Sequence, residues 1–238
     1  QIDHDYEYTF GRDVDWAEYL WFEGPIRVIS QDMDGNLWLG TDQNGIFRVP
    51  HDQINNWFSN RANYKYDKNR PDGLSSSTIT CISQDQTGGT WIGTNNGISV
   101  FYSPELVFSN FNFDSQKILI EQDGYYEYLL DGQTVSALCV DNANRKWIGT
   151  LNNGVFLYDE SKNEIVENFN KSNSPLLSNT VFDICINELS GEVFFGTDNG
   201  ICSFRGVATK NNKNKDPIFV YPNPVKKNNS YVCVSGLQ

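Results

Sequence analysis

Cys81-Ile-Ser-Gln-Asp-Gln-Thr-Gly-Gly-Thr-Trp-Ile-Gly-Thr94 decides the fold, because the chain carries four versions of it. The others are Val28-Ile-Ser-Gln-Asp-Met-Asp-Gly-Asn-Leu-Trp-Leu-Gly-Thr41, Ala137-Leu-Cys-Val-Asp-Asn-Ala-Asn-Arg-Lys-Trp-Ile-Gly-Thr150 and Asp183-Ile-Cys-Ile-Asn-Glu-Leu-Ser-Gly-Glu-Val-Phe-Phe-Gly-Thr197. Between Trp38, Trp91, Trp147 and Phe194 the periods are 53, 56 and 47 residues, the size of a supersecondary unit in tandem. Each version then passes a second glycine (Gly45, Gly97, Gly154, Gly200) into an apolar run such as Val155-Phe-Leu-Tyr158.

Each unit reads as short strands separated by turns. The first strand alternates into an Asp or Asn. Turns such as Asp34-Gly35-Asn36 or Gly88-Gly89 then supply positive φ at little steric cost. The Trp-Ile-Gly-Thr strand follows, its indole filling the space between sheets and its glycine allowing close backbone approach. A third strand follows the second glycine. A fourth is expected at Ile54–Phe58, Val107–Phe113 and Glu164–Phe169. Four strands per unit, stacked radially, predict an all-β chain: a β-propeller with four blade repeats over residues 26–206, part of a larger wheel or a minimal closed one.

Outside the repeats, Ile118-Leu-Ile-Glu121 and Tyr125-Tyr-Glu-Tyr-Leu-Leu130 flank Asp123-Gly124, a strong hairpin signal. Residues 1–25 read as the end of a preceding blade, since Asp5-Tyr-Glu-Tyr-Thr-Phe10 alternates like an outer strand. The chain starts at Gln1 and stops inside the alternating run after Tyr231, so it is expected to be a fragment.

The 238 residues carry a net charge of −12, divided unevenly. From Val207 onward five lysines face one acid, giving +4 there and −16 on residues 1–206. So acidic a body repels nucleic acid and anionic membrane unless a local patch overrides the field. No run approaches the roughly 20 apolar residues of a membrane-spanning helix, and no signal peptide stands at the start. Cys81, Cys139, Cys185, Cys202 and Cys233 lie in apolar runs without a CxxC spacing, which predicts small core residues. His4 and His51 have no Cys or His neighbour in sequence, so no metal site is expected.

Asp32, Asp85 and Asp141 invite a catalytic or metal role. Asp32-Met-Asp34-Gly-Asn36 falls short of a calcium loop, because its glycine comes too early and Gln43 stands where the bidentate Glu belongs. A residue present once per blade is better explained by a need of every blade, here a carboxylate bonding turn amides. The run Ser30-Gln-Asp32…Gly35…Trp38 is also similar to the Asp-box of sialidase-type propellers, with one extra residue between Asp and Gly. Asp-boxes are turn staples remote from catalysis. A glycosidase needs paired carboxylates and a sialidase an arginine cluster, whereas Arg12, Arg27, Arg48, Arg61, Arg70, Arg145 and Arg205 are scattered. Ser-His-Asp chemistry would have to use His4 or His51, both in polar segments. The expectation is no enzyme, no catalytic residue and no cofactor. Tyr125, Tyr126 and Tyr128 are able to stack on sugar rings, or equally to pack across strands.

The four repeats resemble the two-component regulator propeller repeat: an apolar strand, Asp, a Gly-Asn turn, Trp-Ile-Gly-Thr, a second glycine and an apolar strand. Its hosts include periplasmic sensor regions of hybrid histidine kinases in Bacteroidetes. A narrower likeness is to the PorZ-type propeller component of the type IX secretion system. It is carried by Ile118-Leu-Ile-Glu-Gln-Asp-Gly124, by Val140–Tyr158, by Asn173-Ser-Pro-Leu-Leu-Ser-Asn179 and by Gly191–Gly206. A polar basic linker, residues 207–217, then leads to Val220-Tyr-Pro-Asn-Pro-Val225. That run is similar to the opening of the β-sandwich sorting domain of type IX cargo, so residues 218–238 are expected to begin such a domain, cut short after its first strand.

The narrower resemblance implies a non-enzymatic cell-surface, outer-membrane-associated subunit of the attachment complex. Such a subunit works with the sortase and binds anionic lipopolysaccharide. No ligand-binding residue follows from the resemblance. The alternatives are a ligand-sensing periplasmic propeller of a hybrid kinase and a secreted glycan-active enzyme.

Overall fold

The computed structural model describes residues 25–52, 64–66, 73–108, 115–122, 124–206, 208–209, 219–221 and 233–235. Four antiparallel sheets follow one another along the chain. The first contains β1 (Ile26–Gln31), β2 (Leu37–Thr41), β3 (Ile46–Val49) and β4 (Tyr64–Tyr66), in that order. The second contains β5 (Ile79–Gln84), β6 (Thr90–Thr94) and β7 (Gly97–Phe101). A hairpin of β8 (Leu119–Gln122) and β9 (Tyr125–Tyr128) intervenes. The third sheet contains β10 (Val135–Val140), β11 (Lys146–Thr150), β12 (Val155–Asp159) and β13 (Glu164–Phe169), and the fourth contains β14 (Val181–Asn187), β15 (Glu192–Thr197) and β16 (Gly200–Arg205). Near the C-terminus β17 (Phe219–Tyr221) pairs with β18 (Cys233–Ser235).

The first strands pack in series, β1 on β5, β5 on β10 and β10 on β14, while no comparable contact joins β14 back to β1 among the described residues. The sheets are therefore four consecutive blades of a β-propeller, arranged as an open arc. All four break register at the same place in the first strand, between Ile26/Val28, Ile79/Cys81, Val135/Ala137 and Val181/Asp183. Such a bulge adds twist and lets each first strand crowd toward the axis.

The two glycines of each repeat have different duties. A Cβ on Gly40, Gly93 or Gly149 would stand 2.5 Å from Ile79, 2.8 Å from Val135 or 2.9 Å from Val181, each on the first strand of the following blade. The second glycine sits in the turn between the second and third strands. Its N–H donates to the segment entering the next blade: Gly45 to Ser77 O at 2.8 Å, Gly97 to Gln133 O at 2.8 Å and Gly154 to Asn179 O at 2.9 Å. The φ required there is +74°, +93° and +76°, a region that disfavours any side chain. The threonine of the motif closes the same turn, Thr41, Thr94, Thr150 and Thr197 donating through Oγ1 to the carbonyls of Gly45, Gly97, Gly154 and Gly200.

The structure redraws the fourth strands. That of the third blade, Glu164–Phe169, is as the sequence predicts. In the first blade the fourth strand is Tyr64–Tyr66, while the expected Ile54–Phe58 lies outside the described residues. In the second, Val107 and Phe108 close a 3-10 helix (Pro104–Phe108), because Pro104 fixes its φ and has no N–H to extend a ladder. Among the described residues the edge of β7 is instead touched by an isolated bridge between Val100 and Gln116, and residues 109–113 of the expected strand lie outside them. The strand expected over residues 5–10 and the linker residues 210–217 lie outside the described residues.

The fourth blade ends the arc. Its Phe194 occupies the register position of Trp147, opposite Cys185 as Trp147 is opposite Cys139, yet it is 37% exposed. Ile201 beside it is exposed too, and a Cβ on Gly196 would meet nothing closer than 3.7 Å. Cys185 is exposed on this face, which corrects its expected place in the core; Cys81, Cys139 and Cys202 are partly buried.

Candidate functional site

Asp32, Asp85 and Asp141 occupy equivalent positions at the ends of first strands, and each holds its turn and its indole together. Oδ1 accepts from a backbone N–H four residues on: Asn36 at 2.8 Å, Gly89 at 2.9 Å and Arg145 at 3.0 Å. Oδ2 accepts from the indole N–H of Trp38 at 3.0 Å, Trp91 at 2.9 Å and Trp147 at 3.3 Å. The carboxylates are buried, so each also requires a cation.

The cation comes from a different place each time. Asp32 takes the fully buried Arg48 from the third strand of its own blade, at 2.9 Å. Asp141 takes Arg145, four residues away, at 2.7 Å. Asp85 takes Lys146 from the following blade, at 3.1 Å, and both side chains are fully buried. Lys146 Nζ also meets Glu160 at 2.5 Å and lies 4.5 Å from the centre of the Trp91 ring. The fourth blade lacks the whole arrangement. Asn187 replaces the acid, its Oδ1 accepting from the N–H groups of Leu189 and Ser190, and Phe194 replaces the indole.

Burial pushes the carboxyls of Asp32 and Asp85 up, but bonds from Asn36, Trp38 and Arg48 to the first, and from Thr87, Trp91 and Lys146 to the second, hold both below the ordinary value of 3.8. A depressed native pKa stabilises the fold above the unfolded value and loses that contribution as pH falls through the native one. Thermal unfolding at about pH 6 and about pH 3 should therefore show a fall in Tm on acidification, smaller in Asp85→Asn than in the parent chain. An equal fall in both would deny Asp85 this role.

No catalytic constellation forms around these groups. Arg27 pairs with Asp42 at 3.0 Å, Arg48 with Asp32 and Arg145 with Asp141, each a separate acid, while Arg205 stands exposed at the end of β16. Arg12, Arg61, Arg70 and His4 lie outside the described residues, and His51 is exposed beside the Gly35 turn. Among the described residues no three His, Cys, Asp or Glu side chains converge as a metal site would require. Burial pushes the Cys81 thiol up to about 12 and the Cys139 thiol up to about 11, which keeps both protonated and unreactive.

Two concave or exposed features remain. Between the third and fourth blades a cavity of about 330 Å³ is floored by Phe169, Phe195 and Phe204 and rimmed by Glu167, Asn168 and Asn173. The rim amides are occupied: Asn173 donates to Asn168 O at 2.8 Å, and Asn168 Oδ1 accepts from Asn170 at 3.0 Å. The cavity thus offers apolar surface and few free polar groups. The second feature is the β8–β9 hairpin, whose three tyrosines are exposed rather than packed.

Residues 21–43 and 73–96 match the family model described as two component regulator propeller. Two of the four repeats match this model. Both matched segments span the Asp, the turn and the Trp-x-Gly motif whose geometry is given above. Among solved structures the chain is similar to PorZ, described as an essential bacterial surface component of the type-IX secretion system of Porphyromonas gingivalis. The identity is 23% and the TM-score 0.69, over 90% of this chain and 30% of that one. It is also similar to the extracellular domain of a hybrid two component system from B. thetaiotaomicron, with 25% identity and a TM-score of 0.57 over 79% of this chain and 22% of that one. An ancestral GH74 enzyme shares the fold at 10% identity and a TM-score of 0.53, over 78% of this chain and 23% of that one. The chain thus spans less than a third of each of these proteins. No curated protein matches it. No helix among the described residues is long and apolar enough to cross a membrane.

Proposed function

We propose that this chain belongs to a non-enzymatic, cell-surface propeller of the type IX secretion attachment complex, one that binds anionic lipopolysaccharide and presents it to the sortase. The observation that carries the reading is the likeness to PorZ along 90% of the chain. The sequence after the last blade supports it: the basic stretch of residues 207–217 serves as a linker, and Tyr221-Pro-Asn-Pro-Val225 opens a sorting domain over residues 218–238.

Electrostatics constrains the binding. A body of −16 repels an anionic glycan, so attraction falls to Lys210, Lys213, Lys215, Lys226 and Lys227 or to a bridging divalent cation. The intact protein should retain purified anionic lipopolysaccharide at about 0.15 M salt, lose it on chelation or on replacing those lysines with glutamine, and co-purify with the sortase. Absence of retention, with cargo still attached to cells that lack the protein, would overturn the assignment.

The likeness to the B. thetaiotaomicron extracellular domain favours a second reading, a ligand-sensing periplasmic propeller of a hybrid kinase. Loss of the protein would then alter a transcriptional response and leave cargo attachment intact. Turnover of a glycan by the intact protein would overturn both readings in favour of a secreted glycan-active enzyme.

A further inference from the structure

The β8–β9 hairpin is anchored at its base and bare on its outer face. Ile118, Ile120, Leu129 and Leu130 sit in the core between the second and third blades, and Asn163 donates to Leu119 O at 3.0 Å, tying the hairpin to the third blade. The register pairs Leu119 with Tyr128, Ile120 with Glu127, Glu121 with Tyr126 and Gln122 with Tyr125. Alternation therefore places Leu119, Glu121, Tyr126 and Tyr128 together on the face opposite buried Ile120. On that face Tyr126 is 70% and Tyr128 46% exposed, and Leu119 is exposed with them. Packing across strands, the alternative that the sequence leaves open for these tyrosines, does not occur.

Two phenol rings two residues apart on one strand make a flat apolar strip about 7 Å in repeat, edged by their own hydroxyls. Glu121 stands directly across from Tyr126, whereas Glu127, across from Ile120, lies on the other face. Lys117 Nζ lies 5.4 Å from the centre of the Tyr128 ring. Apolar ring faces beside one carboxylate and one ammonium suit a pyranose, which offers C–H faces to stack and hydroxyl pairs to donate. The carboxylate offsets the ammonium on this face, and the −16 charge of residues 1–206 around it disfavours a phosphate, sulfate or uronate and, for the same reason, an anionic lipid surface.

We propose that the outer face of the β8–β9 hairpin binds neutral pyranose glycans, with Tyr126 and Tyr128 as stacking residues, Glu121 accepting from sugar hydroxyls and Lys117 donating to a ring or hydroxyl oxygen. The site is separate from the secretion reading, which concerns an anionic ligand and lysines elsewhere in the chain.

The test is affinity electrophoresis of the intact protein through gels containing dextran, glucomannan or galactan, with polygalacturonate as the anionic control. A neutral polymer should retard the protein. Tyr126→Ala/Tyr128→Ala should weaken that retardation about tenfold or more, from the loss of two ring contacts, while leaving Tm unchanged because both rings are exposed. Tyr125→Ala, on the opposite face, should leave it intact. Retardation by none of the neutral polymers, by polygalacturonate alone, or equally with the double variant would overturn the proposal and leave the strip as a surface for a protein partner.

Discussion

Trp147→Ala should cost the fold about 3–5 kcal/mol, the range for removing a large aromatic from a packed core. The indole is fully buried. Phe169 stacks on it at 6.0 Å, and Phe195 and Phe204 tilt against it at 5.8 Å each. Phe169 belongs to the third blade and the other two to the fourth, so the ring is a joint between blades as well as a core residue. Its loss also deprives the buried Asp141 of a hydrogen-bond donor. Urea titration should show a lower midpoint, and calorimetry a fall in Tm of roughly 6–20 °C at the 2–4 °C per kcal/mol expected for a chain of this size. Phe194→Ala, at the same repeat position but partly exposed, should cost less than about 1 kcal/mol. Equal costs at the two sites would mean that the repeat alignment misidentifies the seam.

Lys146→Met is expected to be comparably damaging, about 3–5 kcal/mol, because it strands the fully buried Asp85 carboxylate without its cation. The bonds to Asp85 from Thr87, Gly89 and Trp91 survive, which places the cost toward the lower end. The variant also loses the contact with Glu160 and the ammonium over the Trp91 ring. Adding Asp85→Asn should recover part of the loss, giving a coupling of about 1–3 kcal/mol in a double-mutant cycle measured by urea unfolding. Arg145→Met should cost less, since Arg145 remains partly exposed and water replaces it. Strict additivity of Lys146→Met and Asp85→Asn would show that the two groups do not depend on each other.

The motif residues were legible in the sequence because they answer needs met once per blade. Trp, Gly, Thr and the second glycine could be placed on strands and turns from spacing alone, and so could β13 and the β8–β9 hairpin. Outer strands were less legible. Tyr64–Tyr66 carries no stronger alternation than Ile54–Phe58, and alternation does not state which of the two pairs with β3. The cations were out of reach for a different cause. Lys146 and Asp85 are 61 residues apart, and the only local hint is a lysine at a strand position where the other blades carry Leu37, Thr90 and Val193. The tyrosines of β9 could be read either way, because alternation states which residues share a face and not whether anything covers it.

The unequal sourcing of those cations limits how such a chain can be edited. The first blade carries both halves of its ion pair, so it could be duplicated, moved or deleted as a cassette without orphaning a charge; the third pairs its own Asp141 but also supplies Lys146 to the blade before it. The second cannot be moved alone. Its Asp85 is neutralised only by a lysine arriving from the blade behind it, and at the place of Lys146 the fourth blade offers Val193. Deleting the third blade would leave Asp85 facing that valine. Gene duplication or blade shuffling in this protein therefore has to carry the second and third blades as one indivisible pair.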